Sequence, residues 1–314
     1  MFNTEKWCRL SEDTYGYPMD SFSLDGFNIF YSIVENSIGQ YHVLPSFGDY
    51  ISCNADQIET FYEFIRTNKK VPFKAKLWSP GISPLPDIGL KKSGYIHHLY
   101  FNSHEDWLMQ NIKCKYRNQI NQSIRKGVGV KVLSDRRSVI DFWEMHADLR
   151  VNKFSEIPQP LAYFENIYES YFTEGNGVVV GAFNENGSLV AGVMLLLDSE
   201  MGYYKYSASK LESLALRPNN LIMSEIIKYL DSKGLKKLNL GFTGESEQYA
   251  GLRHYKLKSG AIEDTRHSIQ SAPYKDLDFS HVETINSEIQ KKISSNLSYD
   301  EIDELANRYY KYFI

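Results

Sequence analysis

The chain has 314 residues, of which 42% are hydrophobic and 24% are charged, and its formal net charge is −4 at pH 7. This length favours two domains over one, and the negative charge disfavours a general basic field that would attract bulk nucleic acid. The three cysteines lack metal-binding spacing, the first residues lack a signal-peptide pattern, and no apolar run reaches about 18 residues. We therefore expect a cytoplasmic protein with no membrane span and no metal site.

The first half of the chain alternates apolar runs with polar turns. Such runs predict strands over 27–34, 40–44, 73–78 and 95–101, and helical spacing of apolar residues predicts a helix over 55–66. Three prolines between residues 79 and 86 predict an exposed loop. The middle of the chain is predicted to be helical. Ser103 is a favourable N-cap for one helix that continues to about residue 126 and joins the two halves, and amphipathic spacing predicts helices over 136–152 and 161–172.

The second half shows the clearest pattern. Two β-branched-rich runs, 178–183 and 189–197, flank the polar turn 184–188 and predict a hairpin. A third strand is predicted over 203–208, a helix from Pro218 to Leu230, and a fourth strand that ends at Gly241. The pair Tyr255-Lys256 then lies on a predicted helix, which places one basic side chain beside a strand end. A last helical segment is predicted over 294–312.

These pieces, in this order, resemble the tandem-domain, FemAB-like branch of the GNAT superfamily of N-acyltransferases. The resemblance is carried by segments 115–120, 125–128, 189–192, 206–208, 217–220, 239–241 and 255–256, and upstream by segment 44–50 alone. It implies an α/β fold with two GNAT-like domains in tandem, each a mixed sheet flanked by helices. The expected division is a degenerate N-terminal domain (1–110), a connecting helix (111–127), an acyltransferase domain (128–275) and a helical tail (276–314).

The resemblance also implies a reaction, which is transfer of an acyl group from an acyl-CoA co-substrate to an amine, without a tightly bound cofactor. In the GNAT fold two parallel strands separate, and a free main-chain N–H at that point meets the thioester carbonyl. Here those strands would be 203–208 and 237–241. The expected catalytic residues are Tyr206 and Ser207, through their main chain, together with Tyr255 and Lys256.

For the acyl-CoA, the resemblance implies binding by Arg217, Asn219, Asn220 and Gly241, at and beside the start of the helix after the third strand. A helix N-terminus favours phosphate because its first N–H groups lack partners. The superfamily has spaced glycines at this helix start, whereas this sequence has none. Proline and asparagine also suit a plain helix start, so a purely structural role stays open.

For the acceptor, the resemblance implies contacts from Arg150, Lys153, Asp49 and Tyr50. An arginine suits the diphosphate of a nucleotide-linked substrate, so the favoured acceptor is a nucleotide-linked amino sugar for surface polysaccharide synthesis. Other roles stay open: Arg150 could complement a helix dipole, Asp49 could cap a helix, and Lys256 could be a solvated helix lysine. The general base is unassigned, with four candidates: His146, His254, Glu225 and Glu245.

Two other functions remain compatible with the sequence. The first is aminoacyl-tRNA-dependent transfer of an amino acid to a peptidoglycan precursor, which the same fold supports. The second is a binding protein without catalysis, in which the altered helix start no longer holds a donor.

Overall fold

The computed structural model describes residues 1–80, 89–293 and 297–313. The chain forms two compact units. The first contains Met1–Ile96, Asp264–Asn296 and Glu304–Ile314, and the second contains His97–Glu263 and Leu297–Asp303. The predicted loop over 79–86 lies, from residue 81 onwards, outside the described residues.

The strands and helices alternate along the chain. The strands are β1 (Met19–Leu24), β2 (Phe27–Asn36), β3 (Gly39–Leu44), β4 (Ile51–Ser52), β5 (Phe73–Trp78), β6 (Lys91–Tyr100), β7 (Gly129–Leu133), β8 (Gly177–Phe183), β9 (Leu189–Leu197), β10 (Gly202–Ser209), β11 (Lys237–Thr243) and β12 (Ile262–Gln270). The helices are α1 (Glu5–Tyr15), α2 (Ile58–Asn68), α3 (His104–Asp106), α4 (Cys114–Arg125), α5 (Arg136–Phe154), α6 (Leu161–Ile167), α7 (Pro218–Ser232), α8 (Ala250–Lys258), α9 (Ala272–Lys275), α10 (Ser280–Ile293) and α11 (Tyr299–Tyr309). Segments Trp107–Asn111 and Tyr168–Phe172 are single π-helical turns.

The first unit is built on a mixed sheet. Strands β1, β2 and β3 are antiparallel neighbours, β3 and β5 are parallel, and β12 pairs antiparallel with the other side of β5. Helix α2 buries Phe61, Phe64 and Ile65 because residues three and four apart share a helix face. These side chains form one core with Ile29 and Phe73 of the sheet.

The second unit is built on a sheet in the order β6, β11, β10, β9, β8, β7. Strands β7 to β10 are antiparallel neighbours, whereas β10 and β11 are parallel. One face packs against α4 and α7, where Val193 and Leu195 join the core. The alternate residues Gly192 and Met194 face the other way, because side chains alternate along a strand. A Cβ built on Gly192 would lie 3.1 Å from the ring of Phe142 on α5. Helices α5 and α7 therefore cover opposite faces of this sheet.

The structure confirms the α/β class, the hairpin of β8 and β9, and the helices α5 and α7. One helix prediction is wrong. The expected helix from Ser103 to residue 126 is interrupted at Ile112, whose backbone is extended, although Ser103 does cap the first part by accepting from the N–H of Asp106. Arg117 stabilises the interruption, since its guanidinium donates to the carbonyl oxygens of Leu108 (2.7 Å) and Ile112 (2.9 Å).

The compact units have other bounds than the expected domains. Residues 97–110 belong to the second unit, and residues 264–275 belong to the first, because β12 returns to pair with β5. Helix α4 lies within the second unit and packs against α7. The segment predicted as one helix over 294–312 contains α11, although its residues 294–296 lie outside the described residues, and α10 lies in the tail over 276–314 that was expected to be helical.

Candidate active site

Strands β10 and β11 separate soon after they begin. They pair in parallel at Gly202 with Leu238 and at Tyr203 with Asn239, and within residues 202–243, all of which are described, the pairing ends there. Both strands continue beyond that point, β10 to Ser209 and β11 to Thr243. The two neighbouring strands are therefore no longer paired with each other beyond this point, which is the position that the resemblance implies.

A β-bulge at Lys205 changes which way the side chains of β10 point. The pairing of β10 with β9 shifts between Tyr204 and Tyr206. Strict alternation would place these two tyrosines on one face, but Tyr204 packs against the core on the α7 side, while the ring of Tyr206 lies 5.9 Å from that of His146 on α5. A bulge adds one residue to one strand of the ladder, so the side chains on either side of Lys205 point to opposite faces of the sheet at the place where the pairing of β10 with β11 has ended.

A cluster of tyrosine hydroxyls lies on the α7 side of β10. The hydroxyl of Tyr255 on α8 donates to the carbonyl oxygen of Asn219, 2.9 Å away, in the first turn of α7. Tyr204 interacts through its hydroxyl with Tyr255 and with Ser207, and Ser207 is exposed. Burial raises the pKa of Tyr204 and the pKa of Tyr255 well above the ordinary value. Both hydroxyls therefore keep their protons at neutral pH.

Lys256 is buried at the end of β11, with 5% of its surface exposed. Its ammonium donates to the carbonyl oxygens of Gly241 (3.0 Å) and Phe242 (2.8 Å) and to the Oγ1 of Thr243 (3.0 Å). The alternative of a solvated helix lysine is therefore wrong. Gly241 has a φ of 73°, a left-handed conformation that glycine adopts readily, and its N–H donates to the Oδ1 of Asn239. The ammonium and this glycine together fix the course of β11 where it leaves β10.

The start of α7 offers a limited anion site. Arg217 is exposed and has a φ of 60°, and Pro218 has no N–H to donate. The N–H of Asn220 donates to the carbonyl oxygen of Arg217, and the Oδ1 of Asn219 accepts from the hydroxyl of Ser209 at 3.0 Å. These two groups are engaged within the protein, so a phosphate at this turn would rely more on the Arg217 guanidinium than it does at a glycine-rich turn.

Arg150 and Lys153 lie at the C-terminal end of α5. The guanidinium of Arg150 forms an ion pair with Glu156 and lies over the ring of Phe154, 5.6 Å from its centroid. Its Nε is buried and has no hydrogen-bond partner among the described residues. Lys153 is exposed, with its ammonium 5.1 Å from the same ring. Both cations are thus held at one helix end, on the α5 side of the second unit.

Asp49 and Tyr50 belong to the first unit, whereas all the other site residues expected from the sequence belong to the second. The carbonyl oxygen of Asp49 accepts from Arg266 at 3.2 Å. The buried ring of Tyr50 packs edge-on against Phe2 and Trp78. Within its own unit, Tyr50 is therefore part of an aromatic cluster.

The candidates for the general base differ in exposure. His146 is buried, and burial together with the charge of Arg150 lowers the pKa of His146 to about 3. His254 and Glu245 are exposed. Glu225 on α7 is paired with Lys228 at 3.8 Å.

Two further polar side chains lie at the site without a signal in the sequence. Simple alternation along a strand would put Tyr204 on the same face as Tyr206, and the bulge invalidates that rule here. The partners of His97 are distant in sequence. In the structure its ring nitrogens lie 3.1 Å from Glu263 and 3.4 Å from the hydroxyl of Thr243.

Residues 114–257 match the family model of the acetyltransferase (GNAT) domain. No match is found among curated proteins. Among solved structures, FemX has a TM-score of 0.65 at 14% identity, with 91% of this chain and 94% of FemX covered. L-PGS from Bacillus licheniformis has a TM-score of 0.56 at 12% identity, with 94% and 98% covered. The C-terminal domain of a putative lysylphosphatidylglycerol synthetase from Agrobacterium fabrum has a TM-score of 0.55 at 14% identity, with 77% and 80% covered.

Residues 114–257 therefore match a GNAT domain, which the family model describes as an acetyltransferase domain. The structural likeness extends to almost the whole chain, and the fold is that of FemX. Across residues 1–80, 89–293 and 297–313, no helix combines the length and apolar character that crossing a bilayer requires, and no group of three or more His, Cys, Asp or Glu side chains is placed to hold a metal ion.

Proposed function

We propose that this protein is an N-acyltransferase that moves an acyl group from an acyl-CoA thioester to the amine of a small acceptor. The observation that carries the proposal is the separation of β10 from β11 after Tyr203 and Asn239. Such a crevice lets an extended donor lie between two strands as if it were a third, with main-chain groups on both sides. The bulge at Lys205 lies in the same part of β10, beyond its last paired residue on the β11 side.

The reaction follows from these groups. The neutral amine attacks the thioester carbonyl carbon, a C–N bond forms, and the carbonyl oxygen becomes an oxyanion that the N–H groups of the Lys205–Ser207 segment stabilise. The tetrahedral intermediate collapses with cleavage of the C–S bond. The thiolate leaving group takes a proton from the hydroxyl of Tyr255, and the tyrosinate so formed is reprotonated by the proton that the amine nitrogen loses. Burial keeps Tyr255 protonated until that step, because it raises the pKa of its hydroxyl.

The donor's phosphates are assigned to the start of α7. Arg217 is the exposed cation there, and the positive end of the helix dipole adds to its charge. Lys256 holds its charge at the end of β11, beside the opening of the crevice, where it counters the developing negative charge.

For the acceptor we propose a nucleotide-linked amino sugar. The support is Arg150, whose Nε is buried and unsatisfied among the described residues, although its other end pairs with Glu156. A diphosphate would satisfy this nitrogen, and Lys153 would add a second cation. The protein would then act on a soluble precursor of a surface polysaccharide in the cytoplasm.

A second function has specific support. The start of α7 lacks glycine, contains Pro218, and engages the N–H of Asn220 internally, so it is poorer in phosphate-binding donors than a typical coenzyme A site. Together with the fold likeness to FemX, this favours an aminoacyl-tRNA donor as the alternative.

Thermal unfolding distinguishes the two proposed acyl donors, acyl-CoA and aminoacyl-tRNA. A ligand at 100 times its Kd stabilises the folded state by about 2.7 kcal/mol, so coenzyme A should raise the Tm if the first proposal holds. The variant Arg217→Gln should lose most of that shift, whereas Lys228→Gln, an exposed change on the same helix, should keep it. A Tm shift with aminoacyl-tRNA and none with coenzyme A would identify aminoacyl-tRNA as the donor. A shift with neither ligand would favour a non-catalytic binding protein.

A further inference from the structure

Lys256 is connected to a histidine and two further charged residues on neighbouring elements. His97 on β6 is completely buried. Its Nε2 lies 3.1 Å from a carboxylate oxygen of Glu263, and its Nδ1 lies 3.4 Å from the hydroxyl of Thr243. The Oγ1 of Thr243 also accepts from the ammonium of Lys256 at 3.0 Å. Arg253 closes the other end, since its guanidinium donates two hydrogen bonds to Glu263, at 2.6 and 2.7 Å.

The direction of each hydrogen bond follows from the chemistry of the groups. An ionised carboxylate only accepts, so the Nε2 of His97 carries the proton, and in a neutral ring Nδ1 must then accept. Thr243 accepts from an ammonium, so its own hydroxyl hydrogen is free to donate to Nδ1 of His97. Proton donation therefore runs from Lys256 through Thr243 and His97 to Glu263, without a break in polarity.

The protonation states agree with this order. Burial, followed by the positive charge of Lys256, lowers the pKa of His97, so the ring is neutral at ordinary pH. Burial acts to raise the pKa of Glu263, but the hydrogen bonds and charge of Arg253 outweigh it and hold that pKa below its usual value. The carboxylate is thus ionised and the imidazole is fixed in one tautomer.

We infer that His97 is a positioning residue for Lys256: held by Glu263, it orients the Thr243 hydroxyl, which in turn fixes the Lys256 ammonium where β11 leaves β10. The inference rests on the proposed function, in which that ammonium counters negative charge in the reaction. A lysine has four rotatable bonds and about 2 kcal/mol of rotamer entropy. A fixed acceptor for its third hydrogen removes that freedom before the substrates arrive, and preorganised charge is what makes electrostatic stabilisation effective.

Paired substitutions separate the two ends of His97. In His97→Asn the side-chain amide reaches roughly the place of Nδ1, so the contact with Thr243 is retained, whereas His97→Gln reaches the place of Nε2 and retains only Glu263. Thr243→Val removes the hydroxyl at nearly constant shape, and Thr243→Ser restores it. Lys258→Gln, an exposed change on the helix that carries Lys256, is the matched control.

The first measurement does not depend on activity. In ¹⁵N-labelled protein, the ammonium resonance of Lys256 is identified by its loss in Lys256→Arg, and its hydrogen exchange is followed by NMR. We expect slow exchange in the wild type, His97→Asn, Thr243→Ser and Lys258→Gln, and exchange at least about tenfold faster in His97→Gln and Thr243→Val. Equal exchange in His97→Gln and the wild type would overturn the inference. If a variant at one of the two positions, His97 or Thr243, does not fold, the pair of variants at the other position decides.

The second measurement is acetyl transfer from acetyl-CoA to a primary amine. In His97→Gln and Thr243→Val we expect kcat to fall by about tenfold or more while KM for acetyl-CoA changes by less than about twofold, with recovery in Thr243→Ser. A higher KM for acetyl-CoA with an unchanged kcat would contradict the positioning role. If the wild type does not turn over acetyl-CoA at all, the proposed donor is what fails, and the exchange of the Lys256 ammonium still decides the role of His97.

Discussion

The Nζ of Lys256 lies 2.8 Å from the carbonyl oxygen of Phe242, so the side chain of helix α8 supports the end of strand β11. This carbonyl and that of Gly241 lie in a stretch of β11 that has left β10. A free strand end of this kind needs partners for its polar groups, since buried main-chain groups without hydrogen bonds are costly. The lysine therefore has a structural task, and any catalytic role is added to it.

Replacing Lys256 by methionine should destabilise the protein even in the absence of substrate. The change keeps the length of the side chain but removes donors to three oxygens, and buried acceptors left without partners should lower the free energy of unfolding by about 2 to 4 kcal/mol. Urea unfolding measures this loss. Lys258→Met on the same helix is exposed and should change stability by less than about 0.5 kcal/mol. Equal effects of the two variants would contradict the structural task.

Replacing Tyr255 by phenylalanine should impair turnover far more than folding. The variant removes one hydroxyl that donates to Asn219 and that we propose to protonate the leaving thiolate, so kcat for acetyl transfer should fall by about 10²-fold or more. Coenzyme A release measures it. Tyr229→Phe, on helix α7, is the control and should retain its kcat. A normal kcat in Tyr255→Phe would remove this residue from the reaction.

Local sequence patterns predicted the elements that stabilise themselves locally. The hairpin of β8 and β9 follows from two β-branched runs around a turn, and α7 follows from Pro218 and a 3.6-residue spacing. The interruption at Ile112 could not be predicted in this way. It depends on Arg117 binding carbonyl oxygens of the preceding turn, and such contacts leave no periodic signal.

The candidate site was predictable in part. The choice of Tyr255, Lys256 and Gly241 came from a resemblance. The structure brings Lys256 and Gly241 together at the end of β11, whereas the hydroxyl of Tyr255 contacts Asn219 on α7. The bulge at Lys205 was invisible, because one extra residue in a strand changes no residue type and yet turns Tyr204 and Tyr206 to opposite faces. His97 and Glu263 are 166 positions apart in sequence. A contact between segments so distant follows only from the assembled fold.

Gly260 is expected to tolerate no side chain. Its φ is 90°, and a Cβ at this position would lie 2.9 Å from the carbonyl oxygen of Asn111, a main-chain atom that cannot turn away. Gly260→Ala should therefore lower the free energy of unfolding by about 1 to 3 kcal/mol. Gly251 lies in α8 with open space around it, and Gly251→Ala should stabilise the protein by about 0.5 to 1 kcal/mol. A loss of stability at both positions would argue against this account.

The three cysteines should differ in their reaction with a thiol reagent. Burial raises the pKa of Cys8 and the pKa of Cys53 to about 12, and the thiolate is the form that reacts. Cys114 is exposed at the start of α4. We expect one thiol to react quickly with DTNB in the native protein and three after unfolding, with the fast reaction absent in Cys114→Ser. Fast reaction of a second thiol would show that Cys8 or Cys53 is accessible.

His146 should make folding sensitive to acid. Its ring is buried among Phe142, Phe164 and Tyr206, and burial together with Arg150 lowers its pKa from 6.5 to about 3. Between these two values the unfolded chain binds a proton that the folded protein does not. The contribution of His146 to stability is therefore complete above pH 6.5 and decreases as the pH falls, by about 1.4 kcal/mol for each pH unit.

The variant His146→Phe isolates this effect, because phenylalanine fits an aromatic environment and does not titrate. Burial also lowers the pKa of His98, to about 4, so the wild type carries acid sensitivity from at least two histidines, and the informative quantity is the difference between wild type and variant. Urea unfolding between pH 7 and pH 4 should show the variant gaining stability relative to the wild type as the pH decreases, with a slope close to one proton. His254→Phe, at an exposed position, should follow the wild type. Parallel curves for the wild type and His146→Phe would mean that the ring reaches solvent, and the buried aromatic cluster around Tyr206 would then be wrong.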